Sequence, residues 1–244
     1  MAPLSTTRRS VLAMAALAGV PAAEPGRAAT EMMMKHAVLL GDSVFDNGAY
    51  VAGGLDVAAQ LRDVLPEGWR ATLLAQDGAV IDGVQRQLER LPADASHLVI
   101  SAGGNDALRE IGLLEESARS VAEALDRLAD VADRFANRYV TMLNRAQAHG
   151  LPVAVCTIYD GRLPDPRRRR QAVAALTALN DCITRQAFAR ALPLIDLRLI
   201  CDQDEDYANP IEPSVRGGRK IAAAISALLT SHDVTRGRTE VFVR

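Results

Sequence analysis

Residues 36–48 read His-Ala-Val-Leu-Leu-Gly-Asp-Ser-Val-Phe-Asp-Asn-Gly and give the clearest indication of the fold. Its first five residues form a short, largely apolar run that ends at a glycine, a pattern typical of a strand buried in a parallel sheet. Ser43 follows just past the end of this predicted strand. Because Gly41 permits a tight turn, we expect the Ser43 hydroxyl to be exposed to a substrate.

Four further runs of the same kind follow along the chain. They are Ala71–Ala75, Leu98–Ile100, Val153–Ile158 and Leu194–Leu197. Successive runs are separated by segments long enough for a crossover helix, which is the spacing of parallel strands. The sequence therefore predicts an α/β fold, a three-layer α/β/α doubly wound sandwich with a five-stranded parallel sheet. In such sheets the reacting groups gather at the carboxyl ends of the strands.

The clearest helix lies between the third and fourth strands, where apolar residues recur at steps of three and four. They are Val121, Leu125, Leu128, Ala132, Phe135, Tyr139 and Met142. A stripe of this period is typical of a buried helix face, so we expect it to pack in the core. Two more helices are indicated by their starts, at Asp165-Pro166 and after Pro213-Ser214.

Length and composition restrict the class of protein. The chain has 244 residues, 49% of them hydrophobic and 24% charged, which is the balance of a globular protein, and no internal linker divides it. The net charge of -2 gives no general attraction to nucleic acid or to an anionic membrane surface. Three cysteines without a C-x-x-C pair and four scattered histidines predict no metal site, no disulfide framework and no cofactor.

The amino-terminal segment allows two interpretations. Thr7-Arg8-Arg9-Ser10 and the Ala-rich apolar stretch after it resemble a twin-arginine export signal, too short to span a bilayer. Met32-Met33-Met34-Lys35, directly before the first strand, instead favours an upstream extension of a protein that starts there. The protein is exported in the first case and cytoplasmic in the second. The predicted organisation is a signal or extension (1–34), one domain (35–232) and a carboxyl-terminal tail (233–244).

Three turns at the predicted carboxyl ends carry residues suited to acyl transfer. Gly41-Asp42-Ser43 offers a nucleophile, although the tripeptide alone is more typical of local backbone capping. The turn after the third strand contains Gly103-Gly104-Asn105-Asp106, whose Asn amide can donate to a developing oxyanion. Gln76-Asp77-Gly78, after the second strand, brings a backbone N–H to the same edge. Three such turns on one edge favour a catalytic site over chance.

In these turns the sequence resembles the SGNH hydrolases, also called GDSL esterases and lipases. Their Gly-Asp-Ser-Leu block corresponds to Gly41–Val44, their second-block glycine to Gly78, and their Gly-x-Asn-Asp block to Gly103–Asp106. The order of the blocks along the chain also fits. The resemblance covers residues 36–230, roughly, and implies a flavodoxin-like fold.

The resemblance also implies a role for each matched residue. Ser43 would be the nucleophile. The N–H groups of Ser43 and Gly78 and the side-chain amide of Asn105 would form the oxyanion hole. Asp42, Asp106 and Asn209 are candidate supporting residues.

The fourth block departs from the family pattern, which is Asp-x-x-His. This chain has Asn209-Pro210-Ile211-Glu212 instead, followed by Pro-Ser and a glycine-containing helix as in the family. Glu212 therefore stands at the position of the catalytic histidine, and Asn209 at the position of the aspartate. We interpret Glu212 as an atypical base, intrinsically weaker than histidine because the reference pKa is about 4.3 for Glu and about 6.5 for His. Partial burial would raise the Glu212 pKa.

Other residues compete for the role of base. The predicted fold excludes the histidines, because each lies at the amino end of a strand or beyond the last helix. They are His36, His97, His149 and His232. Three aspartates in the loop before Glu212 can orient or replace it, although a solvated acidic loop is the plainer interpretation. They are Asp202, Asp204 and Asp206.

Four arginines, Arg167–Arg170, occupy the first turn of the helix after the fourth strand. An anionic substrate or partner is one interpretation. An exposed basic turn paired with acids such as Asp160 and Asp165 is the favoured one.

The sequence thus predicts a carboxylic ester hydrolase that is acylated on Ser43 and deacylated by water. Its expected substrate is an ester or O-acyl group of a small or glycan-linked molecule. Two alternatives stay open, a binding protein of the same fold with impaired catalysis and an acyltransferase that uses the same serine. The acyl chain length and the oligomeric state are not specified by the sequence.

Overall fold

The computed structural model describes residues 34–243, which form an α/β domain around one parallel sheet. Its strands lie in the order β2-β1-β3-β4-β5-β6. They are β1 (Lys35–Gly41), β2 (Trp69–Leu73), β3 (His97–Ser101), β4 (Val153–Cys156), β5 (Leu194–Ile195) and β6 (Val241–Phe242). The predicted fold class is confirmed. The twin-arginine-like segment lies outside the described residues.

Helices cover both faces of the sheet. The α-helices are α1 (Val57–Val64), α2 (Ile81–Leu88), α3 (Gly104–Arg109), α4 (Val121–Gln147), α5 (Pro166–Ala189), α6 (Leu197–Ile200) and α7 (Val215–Ser231). Short 3-10 helices lie at Gly48–Tyr50, Ile111–Glu115, Asp204–Asp206 and Val234–Arg236. Helices α1 and α7 pack on one face, and α2, α4 and α5 on the other. Within 34–243, no helix has the length and apolar character needed to cross a membrane.

The central strand β1 explains why its sequence is apolar without alternation. Its Ala37 and Leu39 side chains join the cluster that α1 and α7 cover, whereas Val38 and Leu40 join the cluster under α2, α4 and α5. All four are fully buried. Because β1 also pairs with β2 and β3, both its faces and both its edges are covered, as expected of a strand inside a doubly wound sheet.

The prediction of five strands is wrong by one. Segment 233–244, predicted to be a tail, contains β6, which extends the sheet beyond β5. The Leu194 amide donates to the Glu240 carbonyl and the Asp196 amide to the Phe242 carbonyl, both at 2.9 Å. A strand of two residues is too short to show a periodic pattern, so the sequence does not predict it. β6 forms because the edge of β5 offers unpaired backbone groups.

The predicted apolar face of α4 is buried only in part. Val121 and Leu125 are 76% and 59% exposed, and the buried residues of the helix begin at Val131. This partial burial follows from the length of the helix. The 27 residues of α4 span about 40 Å, whereas a strand such as β3 spans about 17 Å, so the first turns extend beyond the sheet.

The predicted starts of α5 and α7 are confirmed by their caps. The Asp165 carboxylate accepts hydrogen bonds from the amides of Arg167 and Arg168, at 2.8 and 3.2 Å. The Ser214 hydroxyl accepts from the Gly217 amide at 3.2 Å. These caps set where each helix begins at the carboxyl edge of the sheet.

We expect Gly41→Ala to destabilise the fold. Gly41 ends β1 with φ at 129°, and a Cβ there would collide with the Ser101 carbonyl on β3. Left-handed strain and the collision together predict a loss of at least about 3 kcal/mol in the free energy of unfolding, measured by urea denaturation. Gly112→Ala is the control, because open space surrounds that position. Equal stability of the two variants would contradict the prediction.

Candidate active site

The Ser43 hydroxyl and the Glu212 carboxylate meet at the carboxyl edge of the sheet. Ser43 Oγ donates a hydrogen bond to Glu212 Oε1 at 3.1 Å. Ser43 lies in the turn after β1, and Glu212 lies in the loop before α7. The two residues are only 7% and 5% exposed. The structure thus brings together the two residues predicted to be nucleophile and base.

The turn that carries Ser43 is held by its neighbours. The Val44 amide donates to Asp42 Oδ1 at 3.1 Å, and the Phe45 amide donates to the Asp42 carbonyl at 3.1 Å. Asp42 itself is buried, which raises its pKa to about 7, with further contributions from the charges of Glu212 and Asp106. Its contact with Val44 supports the turn through the backbone.

Glu212 is positioned through its backbone. Asn209 Oδ1 accepts from the amides of Ile211 and Glu212, at 2.9 and 3.0 Å. The Tyr159 hydroxyl donates to the Ile211 carbonyl at 2.6 Å. Asn209 occupies the aspartate position of the family block. Its side chain therefore holds the loop backbone, and among the described residues it makes no hydrogen bond to the Glu212 carboxylate. Within residues 34–243, Glu212 Oε2 has no hydrogen-bond partner.

Burial changes the acid–base behaviour of Glu212. It raises the pKa of this carboxyl to about 7, with the Asp77 charge acting in the same direction and the Ser43 hydrogen bond against it. The ordinary pKa of a histidine is about 6.5. The pKa of Glu212 therefore lies close to that of an ordinary histidine, and the predicted rise on partial burial is found.

The turns after β2 and β3 are joined by two side chains. The Asn105 amide donates to the Ala79 carbonyl at 3.0 Å, and Asp106 Oδ2 accepts from the Ile81 amide at 2.9 Å. Arg138 lies 2.9 Å from Asp106 Oδ1 and offsets its buried charge. Asp106 thus supports the site by anchoring the start of α2. The second N–H of the Asn105 amide stays available to a ligand.

Two backbone donors are also available at this edge. Within the described chain, no acceptor is bound to the N–H of Ser43 or of Gly78. Gly78 has φ at 74°, a left-handed conformation that suits glycine. Together with Asn105 these are the donors that the sequence assigns to an oxyanion hole. Those three roles stay predictions.

Sequence reasoning did not single out several residues that hold the loops together. The Asn47 amide donates to the Pro213 carbonyl at 3.0 Å, tying the Ser43 turn to the Glu212 loop. The Tyr50 hydroxyl donates to Asp77 at 2.7 Å, tying the first turn to the second. Asn47 lies four residues after the serine, but an Asn in a turn gives no signal that separates this contact from local capping.

An apolar cavity of about 130 Å³ opens beside the Ser43–Glu212 pair. Its catalytic end includes Asn105, and its walls come from the 3-10 helix Ile111–Glu115 and from α4 and α5. The wall residues are predominantly aliphatic. They include Leu113, Leu128, Val131, Ala172, Ala175, Leu176 and Leu179. The sequence contained no indication of this cavity, because its walls are distant along the chain.

The alternative bases are engaged elsewhere. Asp206 is fully buried and lies 2.6 Å from Lys220, so a solvated acidic loop is wrong for this residue. Asp202 also pairs with Lys220, and Asp204 with Arg162. These ion pairs connect the loop to α7 and to the segment after β4.

The histidines lie where the fold prediction placed them, at the amino ends of strands or after α7. They are His36 and His97 in the starts of β1 and β3, His149 before β4, and His232. His36 contacts Thr72 at 2.7 Å, and His232 contacts Glu240 at 2.9 Å. Among residues 34–243, no group of three or more His, Cys, Asp or Glu side chains is arranged to hold a metal ion.

The arginine turn is paired, but with other acids than expected. Arg168 lies 2.5 Å from Glu115 of the 3-10 helix, and Arg169 lies 3.5 Å from Asp204. Asp165 contacts the backbone instead, as the cap of α5. Arg168 and Arg169 therefore do pair with acids, but the partners are Glu115 and Asp204 and not the predicted Asp160 and Asp165.

The family of the chain follows from its sequence blocks and their arrangement. The sequence model of the GDSL-like Lipase/Acylhydrolase family matches residues 39–220. The chain belongs to this family. Its members are hydrolases that act on esters, so the coarse prediction of an ester hydrolase is confirmed. No curated protein matches the chain in sequence.

Solved structures share the fold at low sequence identity. The lipase Lip_vut3 from a goat rumen metagenome has a TM-score of 0.60 and 16% identity, covering 79% of this chain and 96% of its own. Phospholipase A1 from Streptomyces albidoflavus has a TM-score of 0.59 and 15% identity over 81% and 100%. The acetyl xylan esterase AlAXEase has 0.55 and 15% over 81% and 100%. These likenesses establish the fold.

We expect Asn105→Ala to reduce turnover about a hundredfold, as for the loss of one oxyanion donor. Because Asn105 also donates to Ala79, a small loss of stability accompanies the kinetic effect. The measurements are kcat with a chromogenic ester and the thermal midpoint. Asn144→Ala, at an exposed position of α4, is the control. Unchanged kcat in the folded fraction would make Asn105 purely structural.

We also expect Glu212→Gln to stabilise the protein above neutral pH. The folded-state pKa of about 7 lies above the ordinary value of 4.5, so the wild type loses stability as the pH rises through this interval. The amide cannot ionise. The variant should therefore be more stable by roughly 2 kcal/mol near pH 8 and nearly equal near pH 5. Urea denaturation at both pH values measures this, with exposed Glu205→Gln as the control. A pH-independent difference would contradict the assignment.

Proposed function

We propose that this protein is a serine carboxylic-ester hydrolase in which Ser43 is acylated and Glu212 is the general base. The observation that carries the proposal is the 3.1 Å hydrogen bond from Ser43 Oγ to Glu212 Oε1, buried at the end of an apolar cavity. Membership of an ester-hydrolase family supports the reaction type. The identity of the base rests on the geometry alone.

In the proposed reaction, Ser43 Oγ attacks the ester carbonyl carbon while its proton passes to Glu212. The carbonyl oxygen becomes an oxyanion facing the donors on Ser43, Gly78 and Asn105. Glu212 then gives the proton to the alcohol oxygen as the ester bond breaks, which leaves an acyl group on Ser43. A water molecule loses its proton to Glu212 and repeats the sequence, releasing the carboxylic acid and restoring the serine.

The charge balance of this reaction explains why an asparagine can replace the family's aspartate. A histidine that accepts a proton becomes a cation, and its carboxylate partner stabilises that cation and sets the tautomer. A glutamate that accepts a proton becomes neutral and has no tautomers. A second carboxylate at position 209 would add negative charge beside the oxyanion. The neutral Asn209 supplies the loop geometry without that charge.

We expect ester hydrolysis to depend on Ser43 and on ionised Glu212. With p-nitrophenyl acetate, kcat/KM should rise with pH and reach half its plateau near pH 7, because burial raises the Glu212 pKa to about 7. Ser43→Ala should abolish the acyl-enzyme, and Glu212→Gln should lower kcat/KM by about a hundredfold or more. Labelling of Ser43 by a fluorophosphonate, read by intact mass, reports activation of the nucleophile independently of the substrate.

The pH profile alone does not distinguish Glu212 from a histidine base. The Glu212→Gln and Ser43→Ala variants are therefore needed to assign the base. Glu205→Gln in the same loop is the control and should retain full activity, since Glu205 is exposed. Activity that survives Glu212→Gln but vanishes in Ser43→Ala would contradict the role of Glu212. A binding protein with impaired catalysis predicts a nearly inactive wild type and a gain of activity when Glu212→His is combined with Asn209→Asp.

A further inference from the structure

The cavity beside Ser43 indicates which part of a substrate it accommodates. We propose that it binds a linear aliphatic acyl chain of medium to long length, so that the preferred esters carry acyl groups well beyond acetyl. This inference rests on the proposed function, because it takes Ser43 as the acylated residue. It assigns the specificity to Ala172 and Ala175 on α5 and to Leu128 on α4.

The chemistry of the walls favours a hydrocarbon chain over a sugar. Polar side chains of the lining lie mostly at the catalytic end, where Ser43, Asn105 and Glu212 are found. Farther away, the part of the lining that lies within residues 34–243 carries one further charge, Glu110, which is paired with Arg134 at 3.3 Å. Its one aromatic residue, Tyr159, donates its hydroxyl proton to the Ile211 carbonyl. Sugar recognition needs polar partners and stacking surfaces, which these aliphatic walls do not supply.

The acyl group suits this cavity better than the alcohol does. The acyl group stays attached to Ser43 through both halves of the reaction, whereas the alcohol must leave after it receives a proton from Glu212. An apolar space between α4 and α5 can retain the bound chain but would slow the release of an alcohol. The small side chains of Ala172 and Ala175 leave room along the α5 wall.

The exposed start of α4 extends the same apolar surface. Leu128 lines the cavity, and Leu125 and Val121 continue its helical stripe outward at steps of three and four residues. We assign to this stripe the part of a long chain that extends past the cavity. Contact with the outer part of the acyl chain then accounts for the exposure of Val121 and Leu125, which core packing does not explain.

The test compares p-nitrophenyl esters of two to twelve acyl carbons. In the wild type, kcat/KM should rise about fourfold for each buried methylene, the equivalent of about 0.8 kcal/mol, until the chain passes the cavity. Ala175→Phe fills the cavity and should lower kcat/KM for the decanoate at least tenfold more than it lowers kcat/KM for the acetate. Ala174→Phe, on the exposed side of α5, is the matched control and should keep the wild-type profile. Ala172→Phe is the second variant if Ala175→Phe fails to fold.

Three results would overturn the proposal. They are a wild type that is fastest on the acetate, a chain-length profile that Ala175→Phe and Ala172→Phe both leave unchanged, and a length preference that appears only in a series of acetate esters of longer alcohols. The last result would place the alcohol in the cavity.

A binding measurement separates this inference from the proposed function. The Ser43→Ala protein is titrated with 11-(dansylamino)undecanoic acid, whose fluorescence reports an apolar site without turnover. Binding that Ala175→Phe weakens at least tenfold supports the acyl-chain site even if no ester is hydrolysed. Absence of binding, or equal binding in both proteins, overturns the acyl-chain site even if Ser43-dependent hydrolysis of the acetate is found.

Discussion

The arrangement of the surrounding loops depends on the hydrogen bond between Ser43 and Glu212. This hydrogen bond holds a carboxylate in a buried position where one oxygen has no partner among the described residues, an arrangement that costs stability whenever the group is ionised. The contacts of Asn209, Tyr159 and Asn47 fix the backbone around it. These contacts next to Glu212 are hydrogen bonds between neutral groups, and none of them uses the Glu212 carboxylate.

The same burial raises the pKa of Glu212, which favours the proposed role as a base. A solvent-exposed glutamate would be ionised at neutral pH but would accept a proton poorly, whereas the buried Glu212 has its pKa raised to about 7. The site thus reaches the acid–base range of a histidine by desolvation. In the proposed reaction no cation forms, so the supporting residue needs to accept hydrogen bonds from backbone amides and need not be charged. Asn209 meets this requirement.

The long helices α4 and α5 connect the Ser43–Glu212 edge of the sheet to the cavity beside it. Leu128 and Val131 of α4 form a wall of this cavity together with α5 and the 3-10 helix Ile111–Glu115. The Arg168–Glu115 ion pair ties two of these walls together. Ala172 and Ala175 on α5 line the cavity, so larger side chains at these two positions would reduce its volume.

Local sequence patterns are sufficient to predict the parallel α/β architecture and three turns at the carboxyl edge of its sheet, because buried strands and Gly-Asp-Ser, Gly-Asn-Asp turns are short-range features. The resemblance to the family's fourth block also aligned Glu212 with the histidine position. The sixth strand, the exposure of Val121 and Leu125, the pKa of Glu212 and the cavity between α4 and α5 became apparent only in three dimensions. Each of these depends on groups far apart along the chain, on an open sheet edge or on the exclusion of water, and local sequence patterns do not encode those contacts.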